Sequence, residues 1–114
     1  MEDLIKLMKA LSDETRLRII NILLERECCV CEVMQALSIS QSRASRNLGI
    51  INDAGLLKAK RNGIWILYSV DWQTTNQYAA YLAKLLKDFF TNGKLLADDR
   101  ERLMHTVKIG PGCK

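Results

Sequence analysis

Apolar and polar positions along this chain follow two periods, and the switch between them marks its elements. Leu4, Leu7, Met8 and Leu11 recur at spacings of three and four, which predicts a helix over 3–11. From Thr15 to Glu25, Leu17, Ile19, Ile20, Ile22, Leu23 and Leu24 leave apolar residues nearly all round, so this helix is expected to be central and buried. Ser12 or Asp13 caps its start, and Arg16 and Arg18 interrupt it, placed either to snorkel outward or to reach phosphate. A short helix over 30–37 with Val33, Met34 and Leu37 inward breaks at Ser38-Ile39-Ser40. Ser40 then caps a second helix that turns Ala44, Leu48 and Ile51 inward and ends at Ala54-Gly55. The period changes to strands over 56–60 and 64–70, joined at Asn62-Gly63, where a type I′ turn needs positive φ at both central positions. Asp71 caps a long helix over 74–90 with Tyr78, Tyr81, Leu82, Leu85, Leu86 and Phe89 in one stripe, broken by Thr91-Asn92-Gly93. A last helix is predicted over 97–106, capped by Asp98, before a tail that frays.

Helices, a helix-turn-helix, a hairpin and a flanking long helix make a mainly α, winged helix-turn-helix fold. Residues 1–92 form its DNA-binding and dimerisation domain, and 93–114 a C-terminal extension with one short helix and a tail. The second helix of the pair turns Ser42, Arg43, Arg46 and Asn47 outward, with Gln41 and Ser45 at the margins and no acid between Ser40 and Ile51. Arg bonds guanine bidentately, Asn and Gln bond adenine, and Ser serves base or phosphate. Lys58, Lys60 and Arg61 near the hairpin tip are placed to grip DNA backbone or minor groove. A two-stranded hairpin is marginal alone, so Trp65 and Tyr68 are expected to lean it on the helices. The long stripe exceeds what one hairpin covers; Leu4, Leu7 and Met8 with Tyr78, Leu82, Leu85, Leu86 and Phe89 are expected to meet a second copy.

Composition narrows the function. The chain has 114 residues, 48% of them hydrophobic, and a net charge of +4, which suits an anionic partner and disfavours disorder. No run approaches a membrane span and Met-Glu-Asp lacks a basic leader, so a cytoplasmic protein with no membrane partner is expected. No nucleophile–base–acid set and no phosphate loop appears, which argues against an enzyme and for no organic cofactor. Cys28, Cys29 and Cys31 crowd a helix start, and thiolates favour thiophilic ions. A lone cysteine is usually a small buried hydrophobe; three within four residues are not so easily explained. The helix N-terminus should lower their pKa values while Glu27 and Glu32 push the other way, and thiols rather than disulfides are expected.

Leu11-Ser12-Asp13-Glu14-Thr15-Arg16-Leu17-Arg18-Ile19, Ser40-Gln41-Ser42 with Ser45-Arg46-Asn47-Leu48, and Ala54-Gly55-Leu56-Leu57 with Arg61-Asn62-Gly63 together resemble the arsenic-repressor (ArsR/SmtB) family of dimeric metal-responsive repressors. The resemblance covers residues 4–90. Glu27-Cys28-Cys29-Val30-Cys31-Glu32-Val33 is similar to the arsenic-responsive branch, whose motif reads Leu-Cys-Val-Cys-Asp-Leu-Cys. Cys29 and Cys31 match; at the third motif cysteine this chain has Met34, with Cys28 as an additional thiol. The resemblance implies a three-thiolate site for trivalent arsenic or antimony, completed by Cys28 or by Cys113 of the tail. The long helix carries no histidine, which speaks against the family's zinc site there.

That reading has a geometric consequence. Residues two apart on an α-helix point about 200° apart, so Cys29 and Cys31 share one ion only if the helix start unwinds or is already non-helical. The turn into the reading helix follows closely, so distortion there would disturb two reading helices that must fit grooves about 34–36 Å apart on a palindromic double-stranded operator. Inducer and DNA then oppose each other as linked equilibria. Two other readings stand beside it: a thiol redox sensor on the same scaffold, and a thiolate protein that sequesters metal.

Overall fold

The computed structural model describes residues 1–90 and 93–109, the side chain of Leu95 apart. Within them lie α1 (Glu2–Leu11), α2 (Glu14–Glu25), α3 (Val30–Leu37), α4 (Gln41–Asp53), β1 (Leu57–Asn62), β2 (Trp65–Val70), α5 (Ala79–Phe89) and α6 (Lys94–Leu103). This is the winged helix-turn-helix that the pattern predicts. Asp13 caps α2 by accepting from the Arg16 N–H at 3.0 Å. Ile19, Ile20 and Ile22 are wholly buried, and α2 packs on α1, α3, α4, α5, α6 and β2. Burial of each such side chain contributes about 1.5–3 kcal/mol. Both arginines of α2 turn out to be structural. Arg16 donates to the carbonyl of Ala10 at 2.6 Å and to Asn47 Oδ1 at 3.0 Å. Arg18 reaches both carboxylate oxygens of Asp99, at 2.7 and 2.8 Å.

Ser40 caps α4 as expected, accepting from the Arg43 N–H at 3.2 Å, and Ala44, Leu48 and Ile51 are fully buried. The hairpin differs from expectation at its turn. Asn62 pairs with Trp65, so the two-residue loop is Gly63-Ile64 and the strands shift accordingly. Within that loop only Gly63 has positive φ, at 64°, which fits a type II′ turn with glycine first rather than type I′. A type I′ turn centred on Asn62-Gly63 would place a non-glycine residue at positive φ; the observed register confines that conformation to glycine.

The fifth helix starts at Ala79, five residues later than the sequence suggests. Residues 74–78 are occupied in closing the end of α4. Thr74 donates to the Gly55 carbonyl at 2.6 Å, and the Asn76 amide donates to the Ala54 carbonyl at 3.0 Å. Asn76 Oδ1 then accepts from the Tyr78 N–H, while Asp71 accepts from Gln73 instead of capping a helix. Gly55 permits this closure: its φ is +89°, and a Cβ there would lie 3.0 Å from Asn76 Cβ.

The last helix also differs, starting at Lys94 rather than Ala97 with Gly93, not Asp98, at its cap. Its position follows from Asp99, which is wholly buried between Arg18 and Arg102 and docks α6 on α2 and α3. The expected break at Thr91-Asn92 and the tail lie outside the described residues. The apolar stripe divides. Leu7 lies in the core and leaves the free face; Leu4 is half-buried; Tyr78, Leu82 and Leu86 lean on the core. Ile5, Met8, Tyr81, Leu85 and Phe89 remain exposed. No helix among the described residues is long and apolar enough to cross a membrane.

Candidate nucleic-acid interface and cysteine site

Residues 27–29 run extended before the chain becomes helical. Cys29 is the N-cap of α3, with φ −89° and ψ 170°, and helical geometry begins only at Val30. Cys29 and Cys31 therefore escape the opposed directions of an α-helix, and their sulfurs lie 3.1 Å apart without any unwinding. The start that is already non-helical is the alternative that holds. Both side chains are buried in a small cluster with Leu67, against which Trp65 packs.

Cys28 faces the other way, as adjacent residues in extended backbone do. Its side chain is wholly buried in the main core. Its backbone makes an antiparallel bridge to β2: Cys28 N–H donates to the Tyr68 carbonyl at 3.0 Å and Tyr68 N–H to the Cys28 carbonyl at 2.8 Å. The structure thus brings Cys29 and Cys31 together and leaves Cys28 apart. Among the described residues no three His, Cys, Asp or Glu side chains form a metal-holding group. Cys113 lies outside them. Cys28 and Cys29 keep their thiols, whereas Cys31 is disulfide-bonded, contrary to the expectation of thiols throughout. At Cys29 burial decides the direction, although the Glu32 N–H at the helix start lowers the thiol pKa and the Glu32 charge raises it, as expected. Burial pushes the Cys28 thiol up to about 12 against the pull of Arg26, and burial, aided by the Glu32 charge, raises Cys29 too.

Glu32, expected only to perturb the neighbouring thiols, is the electrostatic centre of the site. It is buried, and its Oε1 accepts from the Cys29 N–H at 3.0 Å. Arg26 pairs with it at 3.0 Å and Lys108 at 3.6 Å. Burial alone would raise its pKa, but the Cys29 N–H and the two cations outweigh burial and hold it below the ordinary carboxylate value. The Cys29-x-x-Glu32 spacing, a capping box with sulfur in the place of hydroxyl, is the sequence signal that points to it. No comparable signal announces the chain after α6. There Gln35 exchanges two hydrogen bonds with the Val107 backbone, at 2.7 and 3.1 Å, and Cys31 Sγ accepts from the Ile109 N–H at 3.3 Å.

On α4, Gln41, Ser42, Arg43, Ser45 and Arg46 are exposed as predicted. Asn47 is not. It is buried, accepting from Arg16 and donating to the Arg43 carbonyl at 2.9 Å, so it braces the helix from within. Helical spacing placed it on the outer face, but the guanidinium arriving from α2 supplies a polar partner inside. Arg43 donates to Thr15 Oγ1 at 2.7 Å and is thus steered by α2. Lys58, Lys60 and Arg61 stand exposed on the wing, and Lys60 pairs with Glu27 at 3.4 Å. An exposed basic hairpin beside a helix with no acid in its first turn is suited to a polyanion.

A family model of bacterial regulatory proteins, the arsR family, matches residues 13–59. The chain is similar to the arsenical resistance operon repressor of Escherichia coli K12, at 38% identity over 85 residues that span 74% of this chain and 69% of the relative. It is also similar to an arsenic resistance transcriptional regulator of Pseudomonas putida KT2440, at 36% identity over 96 residues covering 83% and 81% of the two. Among solved structures, the homodimeric winged helix-turn-helix DNA-binding domain of a possible ArsR-family regulator from Mycobacterium bovis superposes with a TM-score of 0.65. There the identity is 26%, and the match covers 77% of this chain and 78% of that one.

Proposed function

Because the chain belongs to the arsR family of bacterial regulatory proteins, DNA-binding transcriptional regulators and not enzymes, we propose that it is a homodimeric repressor released from its operator by trivalent arsenic or antimony. The observation that carries this reading is the buried pair of sulfurs, 3.1 Å apart at a helix start. Two thiolates at about 2.3 Å from one ion, the length of a zinc–thiolate bond, stand at most about 4.6 Å apart, and once Cys31 is reduced the pair falls within that span. Reduced Cys29 and Cys31 would hold the inducer. The third thiolate is Cys28 once its segment turns, or Cys113. An ion there neutralises thiolate charge and fixes the segment in one conformation.

The chain's own residues then divide the work. Arg46, with Gln41, Ser42, Arg43 and Ser45, reads the major groove of a palindromic operator, and Lys58, Lys60 and Arg61 hold phosphate. Asn47 braces the helix behind them. Ile5, Met8, Tyr81, Leu85 and Phe89 form the face that meets the second subunit, and cytoplasmic operator DNA is the partner.

Anisotropy of labelled operator, with reduced protein under argon, tests the reading by arsenite titration. Wild type should release DNA, while Cys29→Ser and Cys31→Ser bind operator normally and ignore arsenite. Release by both variants as in wild type would sink the site. One observation favours a second reading, a redox-sensing repressor: Cys31 is disulfide-bonded, with the Cys29 sulfur 3.1 Å away. Peroxide in place of arsenite distinguishes the two by which one releases DNA. Equal affinity for operator and scrambled DNA would instead favour a protein that only sequesters metal.

A further inference from the structure

The sequence points from the cysteines along the chain to α4, yet the direct contacts of the cysteine segment lead to the wing. Cys28 is hydrogen-bonded to Tyr68 in both directions, at 3.0 and 2.8 Å, so residue 28 adds to the edge of the hairpin that β1 does not cover. Trp65 and Leu67 of the same strand pack on Cys29 and Cys31. Glu27 pairs with Lys60 across from them. Three successive residues, 27 to 29, thus each hold one part of the hairpin that carries Lys58, Lys60 and Arg61.

The contacts also oppose each other. Cys28 and Cys29 face opposite sides of an extended segment, one into the main core and one toward Trp65. Bringing the Cys28 sulfur beside the other two requires the segment to rotate about its own axis. Rotation carries the Cys28 N–H and carbonyl away from Tyr68, so both bridging bonds break, and the packing beneath Trp65 changes with them.

We propose that Trp65 and Tyr68 are positioning residues that carry the state of the cysteine site to the DNA-gripping wing, so that inducer binding loosens the hairpin's hold on phosphate. The inference rests on the reading of Cys29 and Cys31 as the inducer site, with Cys28 as its third thiolate. The Trp65 Nε1 has no hydrogen-bond partner among the described residues, so the ring acts through packing alone. Phenylalanine should therefore replace it in this role, and alanine should not.

The experiment uses the full-length reduced protein with arsenite as the probe. In wild type, arsenite should speed amide exchange at Tyr68 and Cys28 and lower the salt slope of operator binding by about 0.9 for each phosphate that the wing lets go. Wild-type release should fall in the range of about 5- to 150-fold. Trp65→Ala should still bind arsenite by calorimetry but release DNA far less, and Trp65→Phe should release as wild type does. A purely structural role for Trp65 would lower the melting temperature and weaken DNA binding with and without arsenite, leaving their ratio unchanged. Should Trp65→Ala fail to fold, exchange at Tyr68 in wild type decides. Full release with the Tyr68 amide still protected and the salt slope unchanged would overturn the wing as the route and leave the repressor reading intact. Failure of arsenite to bind or release wild type at all would overturn the repressor reading and this inference with it.

Discussion

On α4, Arg46 stands in solvent while Asn47, one position along, lies buried between Arg16 and the Arg43 carbonyl. The two should therefore fail differently. Arg46→Ala should cost about 1–3 kcal/mol in operator affinity, with selectivity relaxed at the base it contacts and the melting temperature unchanged. Asn47→Ala removes an acceptor from a half-buried guanidinium and should cost about 1–3 kcal/mol of fold stability. Thermal melts beside anisotropy titrations separate them, and an Asn47→Ala protein of normal stability with relaxed selectivity would put Asn47 back on the DNA face. The cysteines show the same dependence on direction. Cys29 and Cys31 meet because one is a cap and the other helical, and Cys28 is excluded by a single alternation of the backbone.

At the scale of elements, the docking of α6 turns on one carboxylate. Asp99 is wholly buried, bonded by Arg18 through both oxygens and by Arg102. The hydrogen bond to Asp99 raises the Arg18 pKa above its ordinary value. Removing one partner of a buried pair typically costs about 3–5 kcal/mol, because the other charge stays buried without compensation. Asp99→Ala should lower the denaturation midpoint accordingly and expose 93–109 to proteolysis. A variant with an unshifted midpoint would mean that α6 is held by its apolar contacts alone. Because Arg18 and Arg102 also donate to the Leu37 and Ala36 carbonyls, loss of α6 would loosen the end of α3 as well.

The whole molecule leaves Tyr81, Leu85 and Phe89 exposed at spacings of four along α5, while Leu82 and Leu86 face its own core. Glutamate at Leu82 or Leu86 would damage the fold itself. Leu85→Glu and Phe89→Glu should leave the monomer folded and place an unpaired charge in the proposed subunit interface, which is strongly unfavourable. Sedimentation should find monomers for at least one of the two, with operator binding much reduced. Dimers of normal stability from both would move the interface elsewhere.

What sequence alone determined was local. Asp13 and Ser40 as caps, the inward faces of α2 and α4, the glycine at the end of α4 and the hairpin behind it follow from periodicity and turn chemistry, which neighbouring residues control. The crowding of cysteines at a helix start was legible for the same reason. What only tertiary structure decided were features fixed by residues far apart in the chain. Asn76 reaching α4 delays α5, Arg16 draws Asn47 inward, Asp99 meets Arg18 and so sets α6, and Tyr68 takes hold of Cys28. In each case a polar group finds its hydrogen-bond partner across the core, and a buried polar group without one costs more than local preference can repay. No window of neighbouring residues contains both halves of such a bond.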